Sequence, residues 1–222
     1  MSRTQRRDEL VKRLIGDFVR FLDVYDCHLP FSRYGQLEFH VYTIRRRHEL
    51  GSARAAISDS LFLKNLYNTL QAWGIGTRAS RLCTYEVFSA SLRDRVSAIA
   101  ALDGMTINDA NANEVSEELW QLLSNLNIVD NDAKLVSGSK ALHHLLPDLV
   151  VPIDRAYTQK FFGWHNPVFQ YGQRDCFREA FSTFANIACI VRPEKLVDTG
   201  WRSSRTKIID NALIGMICEH KT

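Results

Sequence analysis

The chain has 222 residues, of which 45% are hydrophobic and 24% charged, the composition of a globular protein large enough to bury a core. No apolar run reaches the roughly 18 residues of a membrane span, and the charged N-terminus lacks the apolar core of a secretory signal, so we expect a cytoplasmic protein. The five cysteines form no CxxC pair and the seven histidines show no metal-ligand spacing. The sequence therefore predicts no disulfide framework, no metal and no cofactor.

The formal net charge is only +3, but the basic residues concentrate towards the two ends of the chain, on either side of an acidic middle. Such a distribution permits a phosphate-binding face without a strongly basic total. Ordinary solvated surface charge accounts for the same pattern, so charge alone leaves nucleic-acid binding open.

In the first third of the chain, apolar spacings of three and four predict an N-terminal amphipathic helix of about 18 residues. Residues 39–44 (FHVYTI) are the one stretch with strand character, and three arginines, 45–47, follow directly. Arginines beside aromatic residues suit a nucleic-acid backbone, and a solvated helix start explains them equally. The next helix is predicted over residues 53–73, where Gly74 and Gly76 end it.

Further helices are predicted over residues 85–102, 114–126, 169–190 and, near the C-terminus, within 200–218. The chain contains no repeat, low-complexity segment or obvious linker. These patterns predict a nearly all-α protein of roughly eight helices with at most a minor strand. We expect one compact helical domain over residues 1–222, or two helical lobes with a cleft between them.

Residues 133–163 have the arrangement expected of a catalytic segment. The Ser-Gly-Ser sequence at 137–139 is interpreted as a three-residue turn between two helices, with Lys140 opening the second one. Free backbone N–H groups at such an opening bind phosphate oxygens. An apolar run then ends at Asp154, at the N-cap position of a helix predicted over 155–162. A simple helix cap is the alternative role for this aspartate.

The Gly-Ser-Lys turn, the short helix and the apolar run ending in Val-Pro-Ile-Asp at 151–154 together resemble the helix-hairpin-helix DNA glycosylases. In that family a lysine attacks the sugar C1′, and an aspartate stabilises the oxocarbenium-like centre or helps to activate the nucleophile. The resemblance assigns these roles to Lys140 and Asp154. The chain departs from the family pattern in having one hairpin glycine instead of two, a shorter lysine-to-aspartate separation, and histidines at 143 and 144. It also lacks the cysteine cluster of the iron–sulfur members.

More broadly, residues 70–76 (LQAWGIG) and 139–162 (SKALHHLLPDLVVPIDRAYTQKFF) resemble a group of bacterial proteins, and through that group glycosylases that attack hypermodified cytosines in phage DNA. The resemblance implies a DNA glycosylase that flips a modified base, such as glucosyl-hydroxymethylcytosine, out of double-stranded DNA and cleaves its N-glycosidic bond. The alternative is a non-catalytic helix-hairpin-helix DNA-binding module, in which the hairpin grips phosphates and Asp154 is only a cap. Neither reading implies a membrane or an obligate protein partner.

Other side chains complete the predicted site, and for each of them core packing or ordinary surface exposure is the alternative. The predicted substrate-binding residues are His143, His144, Tyr157, Trp73 and Trp164. The predicted contacts to the DNA backbone are Ser137, Gly138, Ser139, Arg78, Arg155, Arg202 and Arg205. Lys207 and Asp210, three residues apart on the last helix, are interpreted as a surface pair.

Overall fold

A computed structural model describes residues 2–28, 31, 33–76, 81–109 and 111–219. Within these ranges the regular structure is helical, and the only β-type pairing is an isolated antiparallel bridge between Leu82 and Val129. The α-helices of this part of the chain are α1 Arg3–Gly16, α2 Phe18–His28, α3 Gln36–Glu49, α4 Ala53–Ser58, α5 Ser60–Ala72, α6 Tyr85–Asp94, α7 Val96–Ala101, α8 Ala112–Ser124, α9 Lys134–Leu145, α10 Thr158–Phe162, α11 Asn166–Tyr171, α12 Gln173–Val191 and α13 Arg205–Cys218. Two short 3-10 helices cover Pro193–Leu196 and Gly200–Arg202. The predicted all-α class is confirmed.

Four of the predicted helices are each divided in two by a single residue. Asp17 separates α1 from α2, Asp59 separates α4 from α5, Arg95 separates α6 from α7, and Gly172 separates α11 from α12. The Asp59 carboxylate accepts a hydrogen bond from Phe62 N at 2.6 Å and so caps α5. Apolar spacing runs on through such one-residue breaks, which is why periodicity alone predicts fewer and longer helices.

The strand character of residues 39–44 does not produce a strand, because these residues lie inside α3. The buried positions of α3 include His40, Thr43, Ile44 and Arg47, which recur at helical spacing on one face. Tertiary packing of that face outweighs the strand preference of its β-branched and aromatic residues. Arg47, from the arginine triplet, is buried as well, and its Nε donates to the Leu145 carbonyl at 2.8 Å.

Helix α13 lies at the centre of the fold, and nearly every one of its residues is buried. It crosses α2 at Gly215, where a Cβ atom would overlap the Phe21 carbonyl and lie 3.1 Å from Tyr25 N. A helix that is apolar around its whole circumference belongs inside a protein. Its polar residues are therefore buried too. No helix in the described ranges combines the length and apolar character needed to cross a membrane.

The turn predicted at 137–139 is also wrong, because α9 runs through these residues without a break. Ser137 Oγ donates to the Ala133 carbonyl at 3.1 Å, so its hydroxyl is satisfied within the helix. A Cβ atom on Gly138 would lie 2.5 Å from Leu123 Cγ, so this glycine permits close packing of α9 on α8. Ser137, Gly138 and Ser139 are all buried. Lys140 lies in the middle of a helix and does not open one.

Candidate active site

The predicted pair of Lys140 and Asp154 does come together, although no hairpin is involved. Lys140 lies on α9, and Asp154 follows an extended segment that runs back along it; Lys140 Nζ is 3.6 Å from Asp154 Oδ2. The lysine side chain is 8% exposed and the aspartate side chain 19%. The pair is thus mostly enclosed, but its carboxylate remains accessible from one side.

Backbone hydrogen bonds fix the position of Asp154. Ile153 N, just before it, donates to Ser139 Oγ on α9 at 3.0 Å. Asp154 Oδ1 accepts from Ala156 N at 2.5 Å and from Tyr157 N at 3.2 Å. The aspartate therefore caps the turn that leads into α10, while its second oxygen, Oδ2, faces Lys140.

A second lysine–aspartate pair is formed by Lys207 and Asp210 on α13, with 2.5 Å between Lys207 Nζ and Asp210 Oδ2. Their side chains are only 2% and 6% exposed, so the predicted surface pair is wrong. Because α13 is enclosed on all sides, a pair one turn apart on it is enclosed as well. Burial lowers the pKa of Lys207 and raises the pKa of Asp210, although each charge favours the ionised form of its partner.

Aromatic rings surround the Lys207 ammonium group. Lys207 Nζ lies between 5.1 and 5.7 Å from four ring centres, those of Tyr25, Phe31, Trp73 and Trp201. These are cation–π distances. Lys140 Nζ also lies 5.7 Å from the Trp73 ring centre, so one tryptophan contacts both ammonium groups.

Both pairs line one pocket. Its walls are Phe31, Trp73, Lys140, Pro152, Asp154, Trp201, Lys207, Asp210 and Ile214. The cavity volume is about 20 Å³, which is room for about one water molecule. Three aromatic rings and two lysine–aspartate pairs therefore meet around a space smaller than a nucleobase.

The predicted substrate-binding histidines do not line this pocket. His143 and His144 on α9 are fully buried, together with His40 from α3. The His40 ring lies 5.1 Å from the Trp73 ring and 5.4 Å from the Trp201 ring, centre to centre, which places the three histidines behind the aromatic wall. Burial lowers the pKa of all three, that of His144 to about 4, so the rings are neutral at pH 7.

These three histidines are also the only group of His, Cys, Asp or Glu side chains in the described ranges that has the proximity to hold a metal ion. One ring nitrogen from each lies within 4.8 Å of the other two. The sequence gives no local motif for this cluster, because His40 is 104 residues away from His144 along the chain.

Of the three aromatic residues predicted to bind substrate, two lie at the pocket and one does not. Trp73 lines the pocket, and Tyr157 lies against its wall, with its ring centre 5.9 Å from that of Phe31. Trp164 is instead part of the core: it stacks on Phe162 at 4.4 Å, and its Nε1 donates to a Glu179 carboxylate oxygen at 2.9 Å. Trp164 is therefore not part of the pocket.

The predicted phosphate contacts are not gathered at the pocket. Arg202 pairs with Asp26 at 2.6 Å, and Arg205 Nε lies 3.8 Å from Asp148. Arg155 is exposed and donates to the Asn166 side chain. None of these three arginines lines the pocket. Arg78 lies outside the described residues.

Sequence reasoning missed Phe31 and Trp201 as pocket walls and placed Lys207 and Asp210 on the surface. A signal for the second pair was present, because apolar residues occur on every side of α13 and leave it no purely polar face for its lysine and aspartate. Comparison with known proteins adds no assignment: no protein-family model, curated protein or solved structure matches the chain.

Proposed function

We propose that this protein is a DNA glycosylase that excises a modified base, with Lys140 and Asp154 at the reacting sugar. The observation that carries the proposal is the meeting of Lys140 Nζ and Asp154 Oδ2, 3.6 Å apart, in one pocket with aromatic rings. Aromatic walls suit the faces of a flipped base, and a carboxylate suits the positive charge that develops at C1′.

The two residues take different parts in this chemistry. Asp154 Oδ1 is held by two backbone N–H groups, so Oδ2 is oriented before any substrate arrives. If Lys140 is the nucleophile, it gives a proton to Asp154 and its amine attacks C1′ as the bond from C1′ to the base breaks, while the released base takes a proton from solvent. Breakage of the bond between C1′ and the ring oxygen then gives a Schiff base. If Asp154 acts alone, water attacks C1′ and an abasic site remains.

A base enters this site only after the pocket opens, because the closed cavity holds about one water molecule. Phe31 is the wall that we propose moves, since it lies on the connection between α2 and α3 and is only partly buried. A cleft between two helical lobes would admit the DNA strand to this point. The substrate class we favour is a hypermodified cytosine such as glucosyl-hydroxymethylcytosine, as the sequence resemblance implies.

The non-catalytic DNA-binding module is the weaker candidate. It depends on a hairpin that presents free backbone N–H groups to phosphates, and the residues assigned to that hairpin, 137–139, are buried inside α9. That arrangement leaves the module without its phosphate-binding element.

The test is base release from a panel of duplex DNAs, measured by mass spectrometry. The panel contains unmodified, oxidised, alkylated, deaminated and glucosyl-hydroxymethylcytosine DNA. We expect release of one base, reduced about 10²- to 10³-fold in Asp154→Asn, because this variant keeps the shape of the side chain and removes its charge. DNA affinity and the far-UV circular dichroism spectrum should change little.

Asp59→Asn is the matched control, because Asp59 also accepts a backbone N–H, at 2.6 Å from Phe62 N, but it caps α5 and does not line the pocket. It should keep full activity. Full activity of Asp154→Asn, or no release from any DNA in the panel, would contradict the proposal.

A further inference from the structure

We infer that His40, His143 and His144 form a binding site for one divalent transition-metal ion of the zinc class. The ligand atoms are His40 Nδ1, His143 Nε2 and His144 Nε2. This site lies behind the pocket and is independent of the proposed glycosylase activity.

The three rings already have nearly the spacing of a metal site. One nitrogen from each ring lies within 4.8 Å of one nitrogen from each of the other two, and His40 Nδ1 is 3.0 Å from His144 Nε2. Zinc–nitrogen bonds of about 2.0–2.1 Å at tetrahedral angles place ligand nitrogens about 3.4 Å apart. The His40–His144 pair is already near this separation, and a bound ion would draw the more distant nitrogen towards the other two by rotation of the side chains.

The other nitrogen of each ring is bonded to an oxygen, as in established histidine–metal sites. His143 Nδ1 donates to the Val150 carbonyl at 3.0 Å, and His144 Nδ1 donates to the Lys140 carbonyl at 2.8 Å. A carbonyl only accepts, so in both rings the proton is on Nδ1 and the lone pair on Nε2.

The third ring, that of His40, has the same arrangement with its nitrogens exchanged. His40 Nε2 lies 2.7 Å from Ser203 Oγ, which leaves Nδ1 to face the other two rings. Once Nε2 carries the proton and donates to the hydroxyl, Nδ1 presents its lone pair to the ion. Each of the three rings then has one nitrogen with a free lone pair, and these rings lie side by side.

His143 Nε2 distinguishes a metal site from a hydrogen-bonded cluster. A bond from His40 Nδ1–H to His144 Nε2 satisfies those two nitrogens. It leaves His143 Nε2 fully buried and without a hydrogen-bond partner among the described residues. Buried polar atoms are rarely left unpaired. A metal ion accounts for all three nitrogens, whereas the hydrogen bond accounts for two.

The charged groups near the cluster do not exclude a cation. Two lysines act electrostatically on these rings, Lys140 and Lys207. Each is paired with an aspartate, Asp154 and Asp210 respectively, which offsets part of the repulsion between that lysine and a cation.

The ion would support the pocket from behind. It would tie α3 to α9, and through His144 it would hold the backbone turn that carries Lys140. His40 also lies against Trp73 and Trp201, so the same ion would fix the aromatic wall. Its expected role is structural, with the three histidines as protein ligands and one water molecule as the fourth ligand of a tetrahedral ion.

The experiment measures metal in the full chain, purified without a polyhistidine tag and without DNA. We expect about one zinc ion per chain by mass spectrometry, and a melting temperature that falls on chelation and recovers with added zinc. Cobalt added to the stripped protein should give the visible absorption of tetrahedral nitrogen ligation.

The matched variants are His143→Asn and His144→Asn, whose amide N–H replaces the Nδ1 donor while the ligand nitrogen is removed. We expect at least about a tenfold loss of zinc affinity in each. His48→Gln, at an exposed histidine on the same helix as His40, should bind like the wild type. Folded wild-type protein that binds neither zinc nor cobalt would overturn the inference even if the variants fail to fold. Unchanged affinity in folded His143→Asn would overturn it too.

Discussion

The two lysine–aspartate pairs of the pocket are built in different ways. Lys140 and Asp154 come from different elements, their charged atoms are 3.6 Å apart, and the carboxylate is 19% exposed. Lys207 and Asp210 are one turn apart on α13, their atoms are 2.5 Å apart, and neither side chain exceeds 6% exposure. Both pairs line the pocket, but the carboxylate of the first pair is accessible from one side, whereas both side chains of the second pair are almost fully enclosed. We call the first the open pair and the second the sealed pair.

Under the proposed function, this difference assigns the reaction to the first pair and the support of the pocket to the second. A buried ion pair adds little net stability over an apolar pair, but removing one partner leaves an uncompensated charge. Lys207 Nζ also lies within cation–π distance of four aromatic rings. Its ammonium group therefore contacts the walls of the pocket in addition to pairing with Asp210. We therefore expect the sealed pair to maintain the pocket and the open pair to act on the substrate.

The largest expected effect is that of Lys207→Met. It removes the ammonium group and leaves the Asp210 carboxylate buried and unpaired, so we expect a loss of about 3–5 kcal/mol in the free energy of unfolding. Urea denaturation followed by circular dichroism measures it. The double variant Lys207→Met/Asp210→Leu should recover most of the loss, because no buried charge remains. A loss below about 1 kcal/mol in the single variant would mean that water reaches the pair.

A smaller effect is expected from Gly138→Ala, which acts on the helix of the open pair. The new Cβ would lie 2.5 Å from Leu123 Cγ, in a fully buried contact, so α9 must shift away from α8. We expect a loss of about 1–3 kcal/mol from overpacking, even though alanine favours helix by up to about 1 kcal/mol.

Gly16→Ala is the matched control for this substitution, because Gly16 ends α1 and no heavy atom lies near its Cβ position. Its stability should stay the same or rise slightly in urea denaturation. Equal effects of the two glycine substitutions would show that helix propensity, and not the contact with Leu123, decides the result at residue 138.

The same residue shows where sequence reasoning reached its limit. Ser-Gly-Ser is a common turn sequence, and only the partner helix reveals why a glycine is needed inside α9. Helical class was predictable because apolar periodicity is a local property. The sequence analysis placed Lys140 and Asp154 at one site, and their side chains do meet, although the hairpin on which that placement was based does not exist.

The sealed pair and the histidine cluster were harder to find, for a different physical reason. A lysine and an aspartate three residues apart are ordinarily a surface pair, and that rule fails where a helix is enclosed on every side, as α13 is. The histidine cluster joins α3 to α9, and pairing between distant helices leaves no periodic signal in the sequence.

Lys140→Met should affect stability much less than Lys207→Met, by about 1 kcal/mol or less, because Asp154 keeps two backbone N–H partners and some solvent. If Lys140 is the nucleophile, this variant also loses the covalent DNA adduct that borohydride traps from the wild type. Lys160→Met, at an exposed lysine on α10, is the control and should keep the adduct. An adduct that persists in Lys140→Met would transfer the nucleophile's role to another amine, with Lys207 the first to examine.

The smallest expected effect is the coupling energy of the open pair, measured by a double-mutant cycle of Lys140→Met and Asp154→Asn. We expect about 1 kcal/mol or less at low salt, because the atoms are 3.6 Å apart and the carboxylate is partly solvated. Added salt should reduce it further, since solvent ions screen accessible charges. The corresponding cycle on Lys207 and Asp210 should give a larger coupling that salt barely changes, because ions do not reach a sealed pair. Similar couplings with similar salt dependence would mean that the two pairs are equally accessible, and the division between a reacting pair and a supporting pair would have to be abandoned.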